Sequence, residues 1–152
     1  MPITYVIDAQ QKLIRTKCIG NVTLPEVIGH FRELERDPDC PHQLDVFLDL
    51  SETRSLPLTR DISGVSAEIG RIRKKVRFNA CAVVATRTAL FGMLRMLEVM
   101  AGPYFRAFRV FRVASQAEEW LASERSAAKS RLFCGFSNVC KSDESSIECD
   151  HV

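Results

Sequence analysis

A nearly unbroken apolar run at residues 44–50, LDVFLDL, followed within the same 44–64 stretch by a polar interval and the start of an amphipathic pattern, LTRDISG, constrains this chain most. A strand apolar at almost every position has no face to offer water, so it belongs in a sheet covered on both sides by helices. The helical pattern right after it marks a βα step. The rest of the chain is expected to pack as layers around this centre.

Residues 3–8 and 12–20 are short, rich in β-branched and apolar side chains, and separated by polar AQQ, which predicts a hairpin. Thr23 and Glu26 have capping-box spacing, Val22 and Val27 can staple the same turn, and Val27, Ile28, Phe31 and Leu34 share a face. That first helix should end near Asp37-Pro38, because the residue before proline is pushed out of helical geometry. Residues 44–50 form the central strand, with Asp49 at its carboxyl end, followed by a polar turn, SETRSLPLTR. Ile62, Val65, Ile69, Ile72 and Val76 then recur at helical spacing.

Residues 80–86 (ACAVVAT) repeat the buried-strand pattern, and Thr86 or Thr88 can cap a helix with Leu90, Leu94, Leu97 and Ala101 on one stripe. Gly102-Pro103 ends it. Residues 106–113 read as a fifth strand, and Ser115 with Glu118 as a second capping box opening a helix that turns Ala117, Trp120 and Leu121 to the sheet. The fold class is therefore α/β: a hairpin start, alternating αβ units, an open mixed sheet of about five strands and about four helices. One domain is expected over 1–126. From 127 to 152 the chain turns polar and Cys/Ser-containing, the composition of a largely disordered tail.

The balance of 21 basic against 19 acidic residues, net +2, supplies no field for nucleic acid. The cluster Arg71, Arg73, Lys74, Lys75 and Arg77 falls at a helix C-terminus, where cations are stabilising without a ligand, and no aromatic interleaves for base stacking. Arg106, Arg109 and Arg112 do not share one face of a strand. Neither a secretory leader nor an apolar run of membrane-spanning length is visible, so a cytoplasmic protein with reduced cysteines is expected. Cys134, Cys140, Cys149 and His151 lack compact metal-ligand spacing, and neither metal nor cofactor is expected.

With this order of elements, the opening PITYVID, the strand VFLDLS, the helix LFGMLRMLEVMAG and the closing FRVFRVASQAEEWLA, the chain resembles a STAS domain, in particular the SpoIIAA-like bacterial proteins of the STAS/SEC14 type. The likeness spans roughly residues 2–123. In the best-known antagonists of that family the helix after the central strand begins Asp-Ser-Ser-Gly, and the first serine accepts phosphate. Here the run is Asp61-Ile62-Ser63-Gly64, so Ile62 occupies the acceptor position and phospho-regulated switching is not implied. What the resemblance implies is a module that docks on a protein partner or holds an apolar or nucleotide-like small molecule.

Two residue sets are candidates. Asp49, Ser51, Thr59, Arg60, Asp61 and Ser63 could form a partner- or ligand-binding rim, since ligands of open α/β sheets gather beyond the strand ends and helix N-termini attract anions. A carboxylate accepting backbone hydrogen bonds, and a simple cap with an acid in the first turn, explain the same residues. Phe91, Met93, Met96 and Met100 could line an adaptable apolar pocket or a dimer face, or serve as ordinary core. His30 and His42 lack the context of a nucleophile–base pair, and no phosphate-binding glycine loop follows a strand. The expected function is a non-catalytic regulatory or protein-interaction module, with a protein partner or a second copy as its target. The rival is a carrier or sensor of a small apolar ligand; an enzyme acting through Asp49 has least support.

Overall fold

The computed structural model describes residues 2–56 and 58–140, the side chains of 58–60 and 132–140 excepted. Local signals start and stop the first helix as read from the sequence. The Thr23 N–H donates to Glu26 Oε2 at 2.7 Å, Pro25 sits in the first turn, and α1 (Leu24–Arg36) gives way at Asp37, whose extended backbone precedes Pro38.

The strands are β1 (Ile3–Asp8), β2 (Leu13–Asn21), β3 (Gln43–Ser55), β4 (Arg77–Val84) and β5 (Phe105–Phe111). They form one sheet in sequence order, with β1 antiparallel to β2 and the rest parallel. Each crossover from β2 onward advances one place in the same direction. Right-handed connections therefore put all three crossover helices, α1, α2 (Leu58–Ile72) and α3 (Thr88–Ala101), on one face. A short 3-10 turn (Gly102–Tyr104) leads from α3 into β5. The last helix, α4 (Ala114–Cys140), is followed by no strand among the described residues and covers the other face. The architecture is the α/β mixed sheet with four helices that the sequence predicts.

The two faces differ in size. Toward α1, α2 and α3, the side chains of Ile14, Leu44, Leu50, Phe78 and Val83 meet Leu34, Ile69, Ile72, Leu90 and Leu94 in the main core. Toward α4, Leu13, Phe47, Ala82, Val84 and Phe111 meet Ala117 and Leu121, with Trp120 packed alongside. The α3 stripe read from the sequence is the buried one: Leu90, Leu94, Leu97 and Ala101. Between α1 and α2, Arg71 of the basic cluster is not merely solvated; its guanidinium meets Glu35 at 2.9 Å and Glu68 at 2.7 Å.

β3 is longer than the apolar run. It continues through SETRS to Ser55, where the sequence predicts a turn, because β2 also runs on and pairs with it as far as Asn21 against Ser55. The pairing is irregular. Lys17 pairs with Asp49 and Ile19 with Glu52, so Leu50 and Ser51 bulge opposite Cys18. Side chains take up the backbone groups that the bulge disturbs: Asp49 Oδ1 accepts the Ser51 N–H at 2.9 Å, and buried Thr53 donates its hydroxyl to the Cys18 carbonyl at 2.9 Å. Near the end of the extension the register shifts again beside Gly20, whose φ of 74° glycine adopts without strain. Replacing Thr53 with valine keeps the shape and removes the donor, so a loss of about 1–2 kcal/mol in urea unfolding is expected.

A second bulge lies in β4, where Asn79 and Ala80 stand opposite Asp45, and the Ala80 N–H donates to Asp45 Oδ1 at 3.1 Å. This extra residue turns Phe78, Cys81 and Val83 to the main core and Ala80, Ala82 and Val84 to α4.

α4 is held by arginine pairs as well as by its apolar stripe. Arg15 grips Glu118 through two contacts of 2.6 and 3.2 Å, Arg106 meets Glu124 at 3.0 Å, and Arg125 reaches Asp45 at 3.7 Å while donating to the Gln11 carbonyl at 2.6 Å. Two predicted caps are corrected. Ser115 lies inside α4, which starts at Ala114, and its intended partner Glu118 is taken by Arg15; α3 starts at Thr88 behind Arg87 with no side-chain cap, while the Thr86 hydroxyl donates to the Ser51 carbonyl. The compositional change at residue 127 is not an element boundary, since α4 continues across it to Cys140. Residues 141–152, with Cys149 and His151, lie outside the described residues. Among the described residues no helix is long and apolar enough to cross a membrane.

Candidate functional site

α1 carries the origin of the site in its sequence. Val27, Phe31 and Leu34 fall on its inward stripe, and His30, three residues after Val27, comes round to the same side. The layer between sheet and helices is not closed beneath them. It holds a cavity of about 130 Å³, bounded by Val27, His30, Phe31 and Leu34 of α1, Val65 and Ile69 of α2, and Leu94 and Leu97 of α3. The sheet supplies the floor: Thr16 and Cys18 from β2, alternate residues Val46, Leu48 and Leu50 from β3, Cys81 from β4, and Phe105 and Phe108 from β5.

Among the described lining side chains only Thr16 and His30 contain oxygen or nitrogen, and none carries a formal charge at neutral pH. Burial pushes the His30 imidazole down to about 4, so it is neutral at pH 7. Its ring stands edge-on to Tyr5, with centroids 5.2 Å apart, and tilted against Phe31 at 5.7 Å. Tyr5 is itself anchored, its hydroxyl donating to Asp37 Oδ2 at 3.0 Å, and burial together with that carboxylate pushes the phenol up to about 12. Burial also raises both cavity thiols, Cys18 to about 12 with help from Asp49, and Cys81 further by burial alone. Thiols held protonated in this way behave as small apolar groups and not as nucleophiles.

The sequence-derived rim does not come together around this cavity. Asp49 lies within β3, six residues before its end, and its carboxylate is engaged with the Ser51 N–H. Ser51 is exposed beside it and its carbonyl accepts from Thr86. Asp61 interrupts α2 with φ −120° and ψ 20°, directly ahead of the regular part of the helix, and Ser63 is exposed in the next turn. Thr59 and Arg60 belong to the first turn of α2, but their side chains lie outside the described ones. Of the four whose side chains are described, Asp49, Ser51, Asp61 and Ser63, none lines the cavity, and no hydrogen bond among the described residues links the Asp49–Ser51 pair to Asp61 or Ser63.

The second set also sits elsewhere. Phe91 and Met93 pack half-buried against the main core, Phe91 beneath the Arg112 guanidinium at 4.6 Å, whereas Met96 and Met100 face outward at 61% and 41% exposure. α3 lines the cavity with Leu94 and Leu97 instead. The available signal for the cavity lay in α1, where a histidine shares an otherwise apolar stripe; its volume depends on how three helices and a sheet meet, which no single stretch encodes.

Neither the family models nor the curated proteins include a match to this sequence. Among solved structures it is similar to an uncharacterized protein of the DUF3478 family with a SpoIIAA-like fold from Shewanella loihica PV-4. Identity is 17% and the TM-score 0.53, covering 78% of this chain and 93% of that one. A likeness at that level establishes a SpoIIAA-like fold, in agreement with the resemblance read from the sequence, and leaves function to be argued from the site.

Proposed function

We propose that this chain is a non-catalytic SpoIIAA-like module that holds a small apolar ligand between the sheet and the helices α1, α2 and α3. The observation that carries the reading is the apolar cavity of about 130 Å³ in the middle of the main core. Protein interiors are packed to crystal density, and an apolar space of this size, partly open to solvent, leaves its lining short of packing partners. A ligand that fills it supplies those contacts, which gives the space a use. The non-catalytic part rests on the lining itself: the thiols are held protonated, and among the described residues no hydrogen bond joins the Thr16 hydroxyl to the neutral His30 imidazole as a nucleophile–base pair. Docking of a protein on the Asp49–Ser63 rim has less behind it, because Asp49 already serves its own bulge.

Toluene is a suitable probe. Saturable methyl shifts at Ile69 and Leu94 on toluene addition, followed by NMR, are the expected result for the wild-type protein. A Cys81→Leu variant grows into the cavity, and should abolish those shifts while raising stability by about 1 kcal/mol. Wild-type protein whose spectrum is unmoved by saturating toluene would refute the reading.

A further inference from the structure

We infer that the ligand is a neutral monocyclic molecule bearing one hydroxyl group, hydrogen-bonded to the His30 imidazole; this rests on the apolar-ligand reading above. Size sets the first limit. A cavity of about 130 Å³ is close to the ~150 Å³ apolar cavities that admit one benzene ring, so acyl chains of membrane-lipid length do not fit inside it. The wall chemistry sets the second. Phe78 stacks on Phe105 at 5.4 Å and Phe105 meets Phe108 edge-on at 5.0 Å, which presents ring faces and edges of the kind another flat ring packs against. Charge sets the third. Among the described side chains no charged one lines the space, so a carboxylate or phosphate would be desolvated with none of them to pair with it.

His30 then supplies the specific contact. Among the described residues neither of its ring nitrogens has a hydrogen-bond partner, although the ring lines the cavity and is held between Tyr5 and Phe31. A neutral imidazole offers one donor and one acceptor, and a hydroxyl can satisfy either. His30 is half-buried and its ring nitrogens keep accessible surface, so a ligand hydroxyl that pairs with one of them gains a hydrogen bond that an equally apolar ligand cannot make. The protonated state of Cys18 and Cys81 leaves this a non-covalent site.

Phenol and toluene separate the two claims. NMR titration at pH 7 should show both binding to the wild-type protein, with the His30 ring-nitrogen shifts moving on phenol addition and not on toluene addition. In His30→Leu the ratio of phenol to toluene affinity should fall about tenfold, the worth of one buried hydrogen bond. If toluene binds but the His30 nitrogens ignore phenol, or the ratio is unchanged in His30→Leu, the hydroxyl contact is overturned and the apolar-ligand reading stands. If neither probe binds the wild-type protein, both readings fall. The nitrogen shifts are read on the unaltered chain, so the test holds even where the variant folds poorly.

Discussion

Between pH 6.5 and pH 4 the wild-type protein should lose about 3 kcal/mol of unfolding free energy that a His30→Leu variant keeps. The imidazole titrates near 6.5 when exposed in the unfolded chain, and burial pushes it down to about 4 in the folded one. Its contribution is therefore fully present above 6.5, declines as pH falls below that value because the unfolded chain takes up the proton first, and is exhausted below about 4. Arg71 holds the Glu35 carboxyl below its ordinary 4.5, so that pair weakens only toward the bottom of the window. Above pH 4.5 the difference between the two proteins isolates His30. Urea unfolding at half-unit pH steps reads it directly; parallel curves would show that the imidazole is solvated and free to charge.

Replacing Asp45 with alanine should cost about 3–5 kcal/mol, more than any surface ion pair would. Its carboxylate has two tasks on the α4 side of the sheet: Oδ1 accepts the bulged Ala80 N–H, and Oδ2 faces the Arg125 guanidinium at 3.7 Å. Both side chains are largely buried, at 14% and 20% exposure, and Arg125 Nη1 makes no hydrogen bond even with Asp45 present. Without Asp45 the Ala80 N–H loses an acceptor and a buried cation loses its counter-charge. A further Arg125→Met change should restore roughly half of the loss, since it removes the stranded charge but not the stranded N–H. Equal stability of the single and double variants in urea, at unchanged slope, would mean that Arg125 is not stranded.

The features legible in the sequence share one property, which is that their causes are local. The Thr23/Glu26 reach-back and the Asp37-Pro38 stop bound α1 within a few residues of chain, and the Leu90, Leu94, Leu97, Ala101 stripe is inward because helical spacing alone aligns it. Where the reading missed, a distant partner intervened. SETRS is polar enough for a turn, yet it is strand because β2 runs alongside and Thr53 finds the Cys18 carbonyl. Ser115 and Glu118 have capping-box spacing, but Arg15 takes the carboxylate from the opposite layer.

The candidate site divides along the same line. Apolar strands, helical periods and short connections determined by themselves an α/β layer structure with a hairpin start, whereas the three crossover helices share one face because of the strand order β1-β2-β3-β4-β5, which belongs to the tertiary structure. The same sequence patterns also aligned Val27, Ile28, Phe31 and Leu34 on one face of the first helix, without drawing His30 into it. Only the tertiary structure decided that Met96 and Met100 face outward, that Asp49 serves a bulge, and that α1, α2 and α3 meet the sheet leaving an apolar cavity of about 130 Å³ with His30 on its wall. The reason is physical: periodicity sets which side chains share a face, whereas the space between faces depends on the shapes of side chains brought together from five strands and three helices.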